Sequence, residues 1–242
     1  MIKQELIEVV AKSAKTFWDL KLTPGSDSGD TSLLDRETGL VYILPQPSEK
    51  QPIKNWSHVG PDDIAVIDLD GGVVGNQENF PTVEAPMHLT IYKARPDVNA
   101  IVHSHGEWSQ IFAGVRKDIP SFVMDTFHYC GGDIKCAEFG RVASEVLAVN
   151  IVKALGKYGK AALMAGHGAA CLGKDMDEAF FVAEVVERSA RQAIMAKLIG
   201  EIVPFNILDM IDEETIRTVG AEPLRAMGMN IPDELLEKLG IK

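Results

Sequence analysis

Four short apolar runs, at residues 40–44, 64–69, 100–102 and 161–165, set the limits on what this chain can fold into. Each is too short for a stable helix and is bounded by glycine, proline or polar residues, which is the pattern of strands. Asp70-Gly71-Gly72 after the second run reads as a tight turn. Between the runs the apolar spacing changes to three and four residues. Ile2, Leu6, Val9, Val10, Ala14, Phe17 and Trp18 make one face of a first helix. Met87, Ile91 and Ala94 mark another, which stops ahead of Pro96 because the residue before proline disfavours helix. Helices are also expected at 107–113 and 143–155, and a further strand at 121–124. Asp175-Met176-Asp177-Glu178 has the form of a capping box ahead of a long stripe through Phe180, Ala183, Val186, Ala190, Ala193 and Leu198, with Gly200 as its stop. Residues 23–32, rich in Gly, Ser, Thr and Asp, read as a loop able to hold a ligand. The tail from 204 to 242 reads as packing, with short helical stretches around Glu213 and Glu234.

At 242 residues and 46% apolar content the chain can close one core, so a single domain over 1–242 is expected. A net charge of −11 repels a phosphate backbone, which argues against a nucleic-acid partner. No apolar run reaches the roughly 18 residues of a membrane span, and the first residues lack a cationic segment followed by an apolar one. A protein without a membrane partner is expected. Cys130, Cys136 and Cys171 are odd in number and show no Cys-x-x-Cys spacing, so neither a disulfide framework nor a cysteine zinc site is implied, and a reducing cytoplasm fits.

His103 and His105 are two apart at the end of an expected strand, so their rings leave the same face and can meet one ion. His167, between Gly166 and Gly168 after another strand, can supply a third imidazole, and three protein ligands leave an open coordination position. The alternative is three separate histidines, each satisfied by a core hydrogen bond or by water. His58 and His88 lack such a context and read as structural.

Glu84-Ala85-Pro86-Met87-His88, the segment Ala94-Arg95-Pro96-Asp97-Val98-Asn99-Ala100-Ile101-Val102-His103-Ser104-His105, and Gly166-His167-Gly168 through Gly173-Lys174 together resemble the class II aldolase/adducin family, over roughly residues 5 to 200. The resemblance implies an α/β fold, a three-layer α/β/α sandwich around a mostly antiparallel sheet. It also implies a homotetramer with sites at subunit interfaces. His103, His105 and His167 match the family's metal ligands in order. The implied cofactor is a divalent metal, zinc first, with manganese or cobalt as alternatives. Glu84 matches the acid/base carboxylate, a glutamate in aldolases where epimerases carry an aspartate. Tyr129, in the segment His128-Tyr129 with Gly131-Gly132, resembles a tyrosine sent into the neighbouring subunit's site as proton donor.

The implied activity is cleavage of a carbon–carbon bond in a small sugar phosphate or hydroxy-ketone through an enediolate. A decarboxylase on the same site, a 4-epimerase of a ketose phosphate, and a non-catalytic adducin-like scaffold stand as alternatives. Substrate contacts are expected from Ser28, Asp30, Thr31 and Thr82, with Ser32 nearby. Three departures fall there. Asp30 stands in a Gly-Asn-Xaa-Ser pattern, where a carboxylate opposes phosphate. Residues 43–47, Ile-Leu-Pro-Gln-Pro, replace a Thr-Pro-Ser/Thr-Gly-like segment, and Pro47 has no amide hydrogen to give. Val83 replaces a serine.

Overall fold

The computed structural model describes residues 1–24, 28–48, 53–74, 79–205, 207–226, 229 and 231–241. In chain order its strands are β1 (Asp30–Asp35), β2 (Leu40–Ile43), β3 (Ala65–Asp68), β4 (Ala100–Ser104), β5 (Lys135–Ala137), β6 (Ala161–Met164) and β7 (Ala169–Gly173). They form one sheet in the order β3-β2-β1-β4-β7-β6-β5. The β5–β6 pair is parallel, and the other neighbours are antiparallel.

The helices are α1 (Gln4–Asp19), α2 (Ala85–Ala94), α3 (Glu107–Val115), α4 (Met124–Cys130), α5 (Glu145–Leu155), α6 (Met176–Ile199), α7 (Glu213–Val219), α8 (Ala221–Ala226) and α9 (Asp233–Leu239). Side-chain alternation along each strand divides the core into two layers. Ala100 and Val102 of β4 meet Val10, Phe17, Phe112, Val182 and Val186 of α1, α3 and α6. Ile101 enters the opposite layer with Met87, Ile91, Leu147 and Ile151 of α2 and α5. Each such side chain taken fully out of water contributes about 1.5–3 kcal/mol. The three-layer α/β/α sandwich with a mostly antiparallel sheet is thus present.

Local signals explain most helix ends. Ser144 accepts from the Leu147 amide at the start of α5, and Asp175 accepts from the Glu178 amide at the start of α6. Glu178 reaches back to the Lys174 amide at 2.7 Å. α2 ends at Arg95, as Pro96 requires.

Four sequence expectations need correction. Residues 121–124 do not form a strand: Met124 begins α4, the Ser121 amide donates to Asp133 at 2.8 Å, and β5 takes the sheet edge instead. The loop over 23–32, of which 25–27 lie outside the described residues, gives way to β1 at Asp30, because Asp30, Thr31 and Ser32 pair with His103, Val102 and Ile101. β7 has no counterpart among the expected strands, since Ala169, Ala170 and Cys171 lack the bulky β-formers that mark one. In the tail α8 joins the two expected helical stretches. Ile207, Ile211, Ile216, Leu224, Ile231 and Leu236 pack there around Phe127 of α4 in a third cluster.

Candidate metal centre

His103 is the fourth residue of β4 and lies two after Ile101, so it faces the α2 side of the sheet. His105 follows one residue past the strand end, tied by its amide to the Leu22 carbonyl at 2.8 Å. β7 runs antiparallel to β4, with His103 opposite Ala170 and Ser104 opposite Ala169. The turn from β6 to β7 therefore delivers His167 beside the other two. Gly168 makes this approach possible, since a Cβ there would meet the Ser104 carbonyl oxygen at 2.3 Å. Gln110 Nε2 donates to the His167 carbonyl at 2.8 Å and steadies the turn.

The three rings form a nearly equilateral triangle with centroids 4.8, 4.9 and 4.8 Å apart, and one ligand atom from each lies within 4.8 Å of the others. Glu84, at the N-cap of α2, completes the group. Its Oε2 is 2.9 Å from His103 Nε2 and 3.6 Å from His167 Nε2. The His103 Nδ1 faces the Ala169 carbonyl at 3.1 Å; a carbonyl only accepts, so this contact places a hydrogen on Nδ1, and Nε2 offers a lone pair to an ion whenever the ring is neutral.

Burial works against charge on both Glu84 and His103, yet their mutual contact outweighs it, lowering the carboxyl and raising the imidazole. Burial, with the His103 and His167 rings nearby, pushes His105 down to about 3. Burial and His103 lower His167 as well. Neutral imidazoles are what a metal takes up. Glu84 Oε2 is buried without a well-aligned hydrogen-bond donor. Converging lone pairs and an orphaned carboxylate oxygen have the donor character a divalent cation requires.

Beside this group lies a second buried one. Asp30 Oδ2 accepts from Thr82 Oγ1 at 2.7 Å, and Asp30 Oδ1 approaches His88 Nε2 to 2.8 Å, imperfectly aligned. His88 Nδ1 contacts Ser32 Oγ at 2.6 Å, and Ser32 meets the Tyr92 hydroxyl at 2.6 Å. Asp30 is 2% exposed and Thr82 7%, so both side chains turn inward. Thr31, expected at the substrate pocket, points to the opposite sheet face, because neighbours on a strand alternate, and its hydroxyl pairs with Ser13 of α1. Ser28 lends its carbonyl to the Trp56 indole at 3.2 Å. Val83 is exposed and its amide donates to Gln46 Oε1 at 3.3 Å. Tyr129 stands apart on α4, edge-on against Phe181 of α6 at 4.7 Å between centroids. The pairing of His88 with Asp30 and the hold of Gln110 on the turn were not legible in the sequence, where these partners are far apart.

Residues 8–194 match the model of the class II aldolase and adducin N-terminal domain. This chain belongs to that family. Among its relatives is a 5-deoxy-D-ribulose 1-phosphate aldolase of Bacillus thuringiensis, 31% identical over 83% of this chain and 89% of the relative. An L-fuculose phosphate aldolase of Methanocaldococcus jannaschii is 30% identical over 82% of this chain and 99% of its own length. An L-ribulose-5-phosphate 4-epimerase of Salmonella paratyphi B is 28% identical, covering 70% and 75% of the two chains. A solved L-fuculose 1-phosphate aldolase superposes with a TM-score of 0.79 at 30% identity, covering 93% of this chain and 98% of that one. The class II aldolase family therefore accounts for both the three-layer fold and the three-histidine group, and it contains aldolases and epimerases alike. No helix among the described residues is long and apolar enough to cross a membrane.

Proposed function

We propose that this protein is a divalent-metal-dependent, aldolase-type lyase that cleaves a carbon–carbon bond in a small sugar phosphate or hydroxy-ketone through an enediolate. The observation that carries the reading is the convergence of His103, His105 and His167 on one another, with the buried Glu84 carboxylate against two of them. His103, His105 and His167 hold the ion, zinc in the first instance. When bound, the ion supplies Lewis acidity that polarises a carbonyl and stabilises the negative charge left by bond cleavage.

Glu84 holds and moves the proton at Oε2. Its Oε1 lies 3.4 Å from the Ala143 amide, which orients the carboxylate, and its burial keeps bulk water from competing. Tyr129 makes ring contacts with His128 and Phe181 and is 37% exposed. We assign it the exchange of a proton with the aldehyde oxygen of the leaving fragment, in the site of a neighbouring subunit of a homotetramer.

The test is a screen of the zinc-loaded protein on paired phosphorylated and unphosphorylated ketoses and keto acids. Release of an aldehyde is expected. Carbon dioxide in its place would make the protein a decarboxylase, and inversion without fragmentation an epimerase. Replacing His103 by Ala should remove stoichiometric metal, measured by elemental analysis. A metal ion contributes several kcal/mol of charge stabilisation, so turnover should fall on the order of 10³-fold. Full activity in metal-free His103→Ala would overturn the proposal. Light scattering on the eluted protein checks the tetramer.

A further inference from the structure

The helix between the second and third histidines is held in an unusual way. α3 starts two residues after His105, and its N-cap is Gly106, which has no side chain to offer the free amides of the first turn. Those amides are taken from a distance. Glu187 of α6 accepts from Trp108 through Oε2 and from Ser109 through Oε1, both at 2.9 Å. These are the positions an ordinary Ser or Asp cap would satisfy locally. A Cβ on residue 106 would come within 2.3 Å of the Glu187 carboxyl carbon. The cap therefore comes from α6 or from residue 106, and here α6 supplies it.

The side of the same helix grips the turn that carries the third histidine. Gln110 donates to the His167 carbonyl, and the Gly166 amide donates to the Ala113 carbonyl at 2.8 Å. α3 thus sits between His105 at its start and the His167 turn along its side, and Glu187 docks it to the longest helix of the fold.

We infer that Glu187 and Gln110 are positioning residues of the metal centre, acting through α3 to preset the separation of His105 from His167. The inference rests on the reading that the three histidines bind a divalent ion. Neither residue touches the ion site; each fixes backbone on which a ligand stands. A site preset in the free protein binds without having to order its ligands first.

The experiment titrates zinc against a chromophoric chelator, alongside the melting temperature of each metal-free protein. Glu187→Ala should weaken zinc binding roughly tenfold, in the range seen when groups supporting metal ligands are removed. Gln110→Glu, similar in size but without the amide donor, should weaken it severalfold with the metal-free melting temperature nearly unchanged. The double variant Gly106→Ser with Glu187→Ala restores a local cap but not the tie to α6. It should recover metal-free stability more fully than zinc affinity. Wild-type zinc affinity in folded Gln110→Glu and in the double variant would overturn the inference while leaving the metal site standing. Wild-type protein that takes up no zinc would overturn both. If Glu187→Ala does not fold, Gln110→Glu decides the matter.

Discussion

Two buried polar groups lie side by side against β1 and β4, and they are built to opposite ends. In the group around Asp30, the members answer one another: carboxylate to threonine and histidine, histidine to serine, serine to tyrosine. In the group around Glu84, ligand atoms of three imidazoles lie within 4.8 Å of one another beside a carboxylate; a buried atom without a well-aligned partner occurs in both groups, but only here do three imidazoles converge. A buried polar group left open costs free energy unless something completes it. The first network pairs residue with residue within the chain. The second has the unfinished character of a binding site.

Replacing Glu84 by glutamine neutralises the open group with little change of shape. Glu84→Gln should retain the metal, by elemental analysis, and lose roughly 10²–10⁴-fold in turnover, the span typical of a positioned proton-transfer group. Near-normal turnover would return Glu84 to the scaffold.

The closed group should answer in stability instead. Removing one partner of a buried charged contact typically costs about 3–5 kcal/mol, so His88→Ala should lower unfolding free energy by about that amount in urea titrations, with metal stoichiometry kept in the folded fraction. Its pH dependence has a definite sign. Burial pushes the Asp30 carboxyl up, but His88, with His103 and Thr82, outweighs it and brings it down to about 2 from an ordinary 3.8. A depressed folded pKa gives stability that is present above 3.8 and drains away as pH falls towards 2. Asp30→Asn should flatten that limb of the stability curve, and an unaltered limb would show that the pair contributes little.

The smallest expected effect is the control. His58 is exposed and contacts Asn55 at 2.9 Å in a surface turn. His58→Ala should change stability by no more than about 0.5 kcal/mol and leave zinc uptake untouched. Any loss of metal would mean that a histidine outside the triangle serves the site.

The difference in legibility between the two groups has a physical cause. The open group left a partial trace, because a strand with period two puts His103 and His105 on one face and glycines around His167 mark a close approach; the family resemblance then set these three histidines above the alternative of separate ones. Glu84 needed the family resemblance, since a lone glutamate ahead of a proline is otherwise a cap. The closed group was invisible. Asp30, Thr31 and Ser32 read as loop residues because they are polar, while in the fold each finds a partner from a helix: Asp30 and Ser32 from α2, Thr31 from α1. The strand expected at 121–124 failed for the converse reason. After the isolated Ile119–Ile134 bridge the chain leaves the sheet edge, with the Ser121 amide taken by Asp133 and Met124 opening α4.

What could be read along the chain were local periods: the stripes of α1, α2 and α6, the runs that became β2, β3, β4 and β6, the box that caps α6, and the three histidines and one glutamate that belong to one family pattern. Those properties depend on neighbours within a few residues, so they can be read along the chain. Only the tertiary structure decided that Asp30 is closed off by His88, that Thr31 faces away from the site, and that Glu187 and Gln110 hold the helix between two histidines. Each of these pairs residues far apart in sequence. Strand register and helix docking, set by the packing of the whole core, bring them together.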